Sequence, residues 1–196
     1  VDASTFDVYL KNMKSIFMEM AKDSDLIIFN RSSDDTPAAA YKRNMRAVNP
    51  KAQVVFEKED GTVLEFEEEL PFDLEAEVVG IEDVDYGIWY IDCMDKPQRY
   101  AGKVVEFTAM VFKSPDFPKN YFVPGRMAMT CCADDMTFLG YICKAREAKN
   151  LETRQWVKVR ARVELEYWKD YHGEGPVLYA ESVVPAVPIE DVVQFG

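Results

Sequence analysis

Residues 156–168 read WVKVRARVELEYW, a run in which apolar and charged side chains alternate almost without interruption. A period of two places successive side chains on opposite faces of a strand, so the run predicts a long β-strand with one buried face and one solvated face. The predicted inward-facing residues are Val157, Val159, Ala161, Val163, Leu165 and Tyr167.

The chain from about Tyr86 onward repeats this strand character. Proline, glycine and charged turns separate the runs VVEFTAMVF, YFV, RMAMT, FLGYIC and PVLYAESVV from one another and from the long strand. Five or six such strands with few helices predict a small closed or partly closed barrel, most simply an antiparallel barrel of the OB type.

The N-terminal part has a different pattern. The run STFDVYLKNMKSIFMEMA spaces its apolar residues as one face of a helix, and DLIIF then reads as a strand covered on both faces. A second helix is predicted to start at Thr36 and Pro37, followed by the strands AQVVFE and TVLEF. The predicted fold class is therefore mixed α+β. A partial doubly wound α/β half-domain (residues 1–70) precedes an acidic connector (71–85) and an OB-like β-barrel (86–196).

The charge distribution limits the possible partners. The net charge is −12, and residues 57–95 contain fifteen acidic side chains and one basic side chain, Lys58. Such a band repels phosphate backbones, and no polybasic stripe offsets it, so a nucleic acid is an unlikely partner. No apolar run approaches the roughly 18 residues of a membrane span, so no membrane insertion is expected. Four cysteines are too few for a disulfide framework, which favours a cytoplasmic location.

Three motifs in the first 55 residues carry a family resemblance. VDASTF, SDLIIFNR and RAVNPKAQVVF, in this order and spacing, resemble the CobW-like GTPases, which are P-loop proteins associated with metal trafficking. The resemblance implies that Asn30 helps to hold a guanine ring and that Arg31 replaces the usual lysine along the base. The family's base-binding aspartate falls on Ser33 here. Asp34, one residue later, is the candidate substitute carboxylate.

The phosphate-binding motif of that family is not in this sequence. A P-loop needs G-x-x-x-x-G-K-[ST], and the Gly102-Lys103 pair is followed by Val104. We therefore expect no catalytic residues and no activity of this chain by itself. The expectation is a C-terminal fragment of a CobW-like GTPase whose P-loop precedes Val1, so that GTP binds only in the full-length parent.

A second resemblance covers residues 97 to about 187. YAGKVVEFTAMVF, FVPGRMAMTCCADD and WVKVRARVEL resemble uncharacterised bacterial proteins that have a C-terminal OB-like domain and are often encoded beside predicted permeases. Two functions follow from the two resemblances. The first resemblance implies a GTPase fragment linked to metal homeostasis, with zinc as the expected ion and a metal-receiving protein as partner. The alternative is a non-catalytic adaptor module for a membrane permease.

The adjacent residues Cys131 and Cys132 allow three interpretations. They are packing or tight-turn residues, thiolate ligands of a metal such as zinc together with Asp134, or a redox pair. Asp135, Cys143 and the single histidine, His172, are further ligand candidates, none at a diagnostic spacing. Neighbouring strand residues point to opposite faces, so both thiols reach one ion only at a turn or bulge.

Two further features have structural and functional interpretations. Arg126 is either a buried ion-pair partner of Asp134 or Asp135, or an anion-binding residue. Four aromatic residues of the predicted barrel either stack on bases or pack at its core and rim: Trp156, Tyr167, Trp168 and Tyr179.

Overall fold

A computed structural model describes residues 1–66, 68–129, 136–189, 192, 193 and 195. The chain divides into two compact units. The first, called the α/β unit below, consists largely of Val1–Glu69, and the second, called the barrel unit, consists of Leu70–Ala128 and Thr137–Gln194. No helix of the described residues combines the length and the apolar character that a bilayer crossing requires.

In its described residues, the α/β unit contains three α-helices and a two-stranded sheet. Helices α1 and α2 are followed by strand β1, helix α3 and strand β2, and β1 pairs with β2 in parallel from Leu26↔Gln53 to Phe29↔Phe56. Parallel strands joined through a helix are the repeating unit of doubly wound sheets. The bounds are α1 Phe6–Asn12, α2 Lys14–Lys22, β1 Leu26–Phe29, α3 Ala38–Val48 and β2 Gln53–Phe56.

One aromatic cluster forms the centre of the α/β unit. The ring of Phe6 lies edge-on to Phe29 and Tyr41, with centroid distances of 4.9 and 4.6 Å. Phe29 in turn stacks on Phe56 at 4.9 Å. These contacts join α1 and α3 to both strands, so the helices cover the sheet face that carries Ile27 and Phe29.

The other face of β1 differs from the expectation. DLIIF was predicted to be covered on both faces, but Leu26 and Ile28 are 49% and 39% exposed. The predicted single helix is also two helices, because the backbone at Met13 leaves the helical region with φ −138°. Four of its predicted face residues are consequently exposed: Tyr9, Met13, Ile16 and Met20. The α/β unit therefore presents an apolar surface where a buried one was predicted.

The barrel unit closes five strands in the order β4-β8-β9-β7-β5-β4. If the five barrel strands are counted from one to five along the chain, their order around the barrel is 1-4-5-3-2-1. The third and fifth of them, β7 and β9, pair in parallel. The other four pairs of the closed ring are antiparallel. The barrel is OB-like, as predicted. Its strands are β4 Val104–Phe112, β5 Tyr121–Met129, β7 Cys143–Lys144, β8 Trp156–Trp168 and β9 Gly173–Pro185, and two flanking strands are β3 Val79–Gly80 and β6 Met136–Gly140.

Strand β8 matches the alternation from which it was predicted. Val157, Val159, Ala161 and Val163 are fully buried, and Lys158 and Arg162 between them are exposed. The charged face is paired across the sheet, with Lys158 to Glu106 at 2.6 Å and Arg160 and Arg162 to Glu181 at 3.3 Å. The prediction is wrong for Tyr167, which is 72% exposed and lies near the end of this strand.

Two glycines allow β5 and β6 to approach each other closely. A Cβ atom on Gly125 would lie 2.4 Å from the carbonyl oxygen of Leu139, and one on Gly140 would lie 2.5 Å from that of Pro124. The backbone itself leaves no room for a side chain at either position. Strand β5 runs through Pro124-Gly125 without a break, so it contains the predicted strand YFV and the described part of RMAMT, residues 126–129.

Helix α4, Tyr86–Asp95, packs on the barrel and was not predicted. Its Trp89 ring is fully buried against Phe107 of β4, at a centroid distance of 4.7 Å. The hydroxyl of Tyr86 donates a hydrogen bond to the carbonyl of Leu139 in β6. Six of the ten helix residues are buried, so the helix has no polar stripe to mark its period.

Candidate functional site

The candidate site is the loop of residues 30–34, which follows β1 at its carboxyl end. Asn30 forms an isolated parallel bridge with Asp2, in which the Asn30 N–H donates to the Val1 carbonyl at 2.8 Å and the Ala3 N–H donates to the Asn30 carbonyl at 3.0 Å. The segment around Asp2 thus lies beside β1 in the same direction. The side chain of Asn30 is exposed, so its amide is accessible to a ligand.

Arg31 is the residue that turns the chain after β1. Its φ of 55° lies in the left-handed region, which few non-glycine residues adopt. The guanidinium donates a hydrogen bond to the carboxylate of Asp2, and the side chain remains 55% exposed. Hydrogen bonds from Ser4, together with the Arg31 charge, lower the pKa of Asp2. Asp2 is therefore an ionised partner that orients Arg31.

Ser32 fixes the middle of the loop. It is buried, its N–H donates to the Glu57 carbonyl at 2.9 Å, and its hydroxyl donates to the Phe29 carbonyl at 2.9 Å. These two bonds tie the loop to the ends of β1 and β2. Ser33 is exposed, and its N–H donates to the hydroxyl of Thr36 at 2.8 Å.

Thr36 caps this loop rather than the helix. It was predicted to be the N-cap of α3 with Pro37 as the first helical residue, but α3 begins at Ala38 and Pro37 is its N-cap. The Thr36 hydroxyl is used by Ser33 instead.

Asp34, the candidate substitute carboxylate, forms an ion pair with Lys58. The Lys58 ammonium donates to its carboxylate at 2.7 Å, and the Asp34 side chain is 85% exposed. This hydrogen bond raises the pKa of Lys58. The structure thus places Asn30, Arg31 and Asp34 on one loop, between Asp2 on one side and Lys58 on the other.

Two members of this arrangement were not assigned from the sequence. Asp2 is part of the VDASTF motif but was given no role, because its contact with Arg31 spans 29 residues. Lys58 was noted only as the single basic residue of the acidic band.

The metal candidates cannot be placed on the structure in the same way. Cys131, Cys132, Asp134 and Asp135 lie outside the described residues. Among the residues that are described, no group of three or more His, Cys, Asp or Glu side chains could hold a metal ion. Cys143 is buried in the barrel, and His172 is exposed in a left-handed turn at φ 52°.

Arg126 pairs with Asp83, whereas its two predicted partners, Asp134 and Asp135, lie outside the described residues. Its side chain is 2% exposed, and the guanidinium pairs with the carboxylate of Asp83 at 3.2 Å and donates to the Asp83 carbonyl at the same distance. It also lies 5.6 Å from the centre of the Tyr86 ring. These contacts join β5 to the start of α4, which is a structural role for Arg126.

The sequence matches the family model of the DUF1980 C-terminal domain over residues 57–192. The chain belongs to this family. The DUF1980 C-terminal domain match begins at Glu57, directly after β2, so it includes Lys58 and the barrel strands but not Asn30, Arg31 or Asp34. The resemblance seen over residues 97–187 falls inside it. No curated protein matches the chain.

Proposed function

We propose that this chain carries the base-recognition side of a CobW-like GTPase and joins it to a DUF1980 C-terminal domain barrel that serves metal homeostasis, with zinc as the metal. The chain is not catalytic by itself, since its sequence has no P-loop. In the parent protein, GTP would be held at the base by Asn30 and the stem of Arg31.

The proposal rests mainly on one observation, which is that residues of two of the three motifs contact each other. Asp2 of VDASTF and Asn30 and Arg31 of SDLIIFNR are adjacent at the carboxyl ends of neighbouring parallel segments. In open α/β sheets, ligands bind outside the carboxyl ends of the strands. The exposed amide of Asn30 and the oriented guanidinium of Arg31 lie at this edge, and their position supports a role in holding a base.

The uncovered face of β1 supports the same proposal. Leu26 and Ile28 line a groove of about 270 Å³ together with Phe17 and Met20 of α2. Doubly wound sheets carry helices on both faces, and an exposed apolar surface of this kind indicates an interaction site. The bridge at Asp2 also lies on the edge of β1 opposite β2, where the Val1 amino group donates to the Ile28 carbonyl at 2.7 Å. The P-loop-bearing part of the same domain is the occupant that we propose.

Nucleotide binding tests this proposal directly. The reading frame that encodes Val1 should contain G-x-x-x-x-G-K-[ST] upstream, and its product should bind GTP. Asn30→Ala should weaken GTP binding about threefold to tenfold, as expected for the loss of one hydrogen bond. Asn12→Ala is the matched control, because the exposed Asn12 amide donates only within α1, to Val8. A reading frame without the motif, or equal affinities in the two variants, would contradict the proposal.

Zinc binding is tested by thiol labelling with mass spectrometry of the labelled peptides. Zinc should slow the alkylation of Cys131 and Cys132 by about tenfold or more, because a metal-bound thiolate is not free to attack the reagent. Cys93 and Cys143 are internal references. They are fully buried, and burial raises the pKa of both thiols, so they should be labelled only after unfolding. Magnesium, which prefers oxygen ligands, is the control ion. Unchanged labelling at saturating zinc would exclude Cys131 and Cys132 as ligands.

A further inference from the structure

An aromatic groove of about 270 Å³ opens on the barrel unit. It lies where the β4–β5 connection meets the β8–β9 turn, beside β5 and β6. The residues of the groove are remote in sequence from the 30–34 loop. The residues that line it are Phe112, Phe117, Val123, Phe138, Gly140, Ile142, Trp168, Asp170 and Tyr171.

The rings of the groove face different directions. Phe112 lies edge-on to Phe117 at 6.1 Å and 80°, and is inclined to Phe138 at 5.6 Å and 47°. Phe112 is 41% exposed, so part of this aromatic surface is in contact with water. Trp168 is held in place by stacking on Tyr121 at 5.5 Å. Rings that surround a space at different angles offer several π-faces to one group.

One carboxylate supplies the charge of the groove. Among the described residues that line the groove, Asp170 alone is charged, and it is exposed. Its carboxylate accepts a hydrogen bond from the Trp168 indole N–H at 3.2 Å, which leaves further acceptor positions available. The Tyr171 hydroxyl already donates to the Pro176 carbonyl and accepts from the Ile142 N–H. The groove therefore combines π-faces with a negative charge.

A basic groove on the other side of Phe117 limits where a cation can bind. That neighbouring groove is lined by Lys113, Lys119 and Lys149. The Lys113 ammonium donates to the carbonyls of Ala148 and Leu151, and these two hydrogen bonds hold it in the neighbouring groove. A cationic ligand is thus confined to the Asp170 side.

We propose that the aromatic groove binds an organic cation, namely the guanidinium or ammonium side chain of a basic residue in a partner protein. Cations are attracted to the faces of aromatic rings within about 6 Å, and a nearby carboxylate adds a charge-assisted hydrogen bond. The net charge of −12 favours the approach of a basic segment. A stacked oligonucleotide fits the rings less well, because its phosphates would approach Asp170 in an acidic protein.

The indole N–H of Trp168 is the reporter for a binding experiment. It bonds to Asp170 directly, whereas Trp89 is buried in the barrel unit and serves as an internal reference. The ¹⁵N-labelled chain is titrated with an Ac-Gly-Arg-Gly amide peptide and followed by NMR. The same peptide with citrulline in place of arginine is the matched ligand, since citrulline has the same shape without the charge.

We expect the arginine peptide to shift the Trp168 indole resonance with a dissociation constant on the order of a millimolar, and the citrulline peptide to leave it unchanged. Asp170→Asn should weaken binding about tenfold while keeping an oxygen that accepts from Trp168. Phe138→Leu should weaken binding about threefold. Tyr167→Leu is the matched control, since Tyr167 is 72% exposed and does not line the groove.

Four outcomes would overturn the proposal. The first three are an equal response to the citrulline peptide, no response of Trp168 to the arginine peptide, and a stronger response to oligo-dT than to the peptide. Tighter binding of tetramethylammonium than of the arginine peptide would assign the groove to a small ammonium compound and overturn the protein side chain as its ligand. Each variant's spectrum reports separately whether the barrel is folded, so loss of structure is distinguishable from loss of binding.

Discussion

Replacing Trp89 with alanine is expected to destabilise the barrel unit by about 3–5 kcal/mol, the usual range for removing a buried large aromatic side chain. Trp89 is fully buried and contacts three other rings, with centroid distances of 4.7 Å to Phe107, 5.4 Å to Tyr86 and 5.6 Å to Tyr141. These rings belong to α4, β4 and the connection after β6. Their common neighbour is Trp89, so its removal leaves a cavity that none of these elements can fill alone.

Trp89→Phe is the matched control for this substitution. The Trp89 indole N–H is buried and has no hydrogen-bond partner among the described residues, so phenylalanine removes an unsatisfied donor while keeping an aromatic ring. We expect Trp89→Phe to retain most of the free energy of unfolding that Trp89→Ala loses. Urea unfolding followed by circular dichroism measures both variants. A loss below about 1 kcal/mol in Trp89→Ala would show that the helix contributes little to the barrel.

The barrel could be predicted from the sequence because one face of its long strand, β8, is exposed to solvent and the other is buried. In β8, Lys158 and Arg162 alternate with buried valines and alanine, so the sequence alone indicates which of these residues are exposed and which are buried. Tyr167 was misassigned because the alternation continues in the sequence after the barrel ceases to cover the inner face. Helix α4 was missed for the opposite reason. Its residues are apolar on most sides, and a buried helix has no polar stripe.

The α/β unit shows where apolar patterns are insufficient. The spacing from Phe6 to Met20 fits one helical face, but the break at Met13 divides it, and only part of the face reaches the core. The apolar residues of β1 likewise predict burial on both faces, although Leu26 and Ile28 are exposed here. Such patterns indicate which surfaces favour burial. They do not specify what covers them.

The contacts of the candidate loop could not be predicted from the sequence. Asn30 and Arg31 were chosen from a motif, and in the structure they follow the carboxyl end of β1. The ion pairs of Arg31 with Asp2 and of Asp34 with Lys58 join residues 29 and 24 positions apart. Charged side chains in loops have no periodicity, so their partners become apparent only when the strands are placed side by side.

Replacing Ser33 with aspartate is expected to raise the preference for GTP over ATP about 10-fold to 100-fold in the P-loop-bearing parent protein that we propose. Ser33 occupies the family's base-binding aspartate position, and its hydroxyl cannot accept two N–H bonds from guanine. Asp34 is engaged by Lys58 at 2.7 Å. The Ser33 side chain is exposed, and its backbone N–H is already bonded to Thr36, so aspartate can be introduced without disturbing the loop.

Ser33→Asn separates the effect of charge from that of shape. Asparagine has the size of aspartate but presents one acceptor oxygen, so it should give at most a small part of the gain. Competition of GTP and ATP against a fluorescent GTP analogue measures the preference in both variants. An unchanged ratio in Ser33→Asp would mean that the base does not contact this loop. The 30–34 loop would then be a structural turn between Asp2 and Lys58, and the convergence of Asn30 and Arg31 on Asp2 would have no bearing on nucleotide binding.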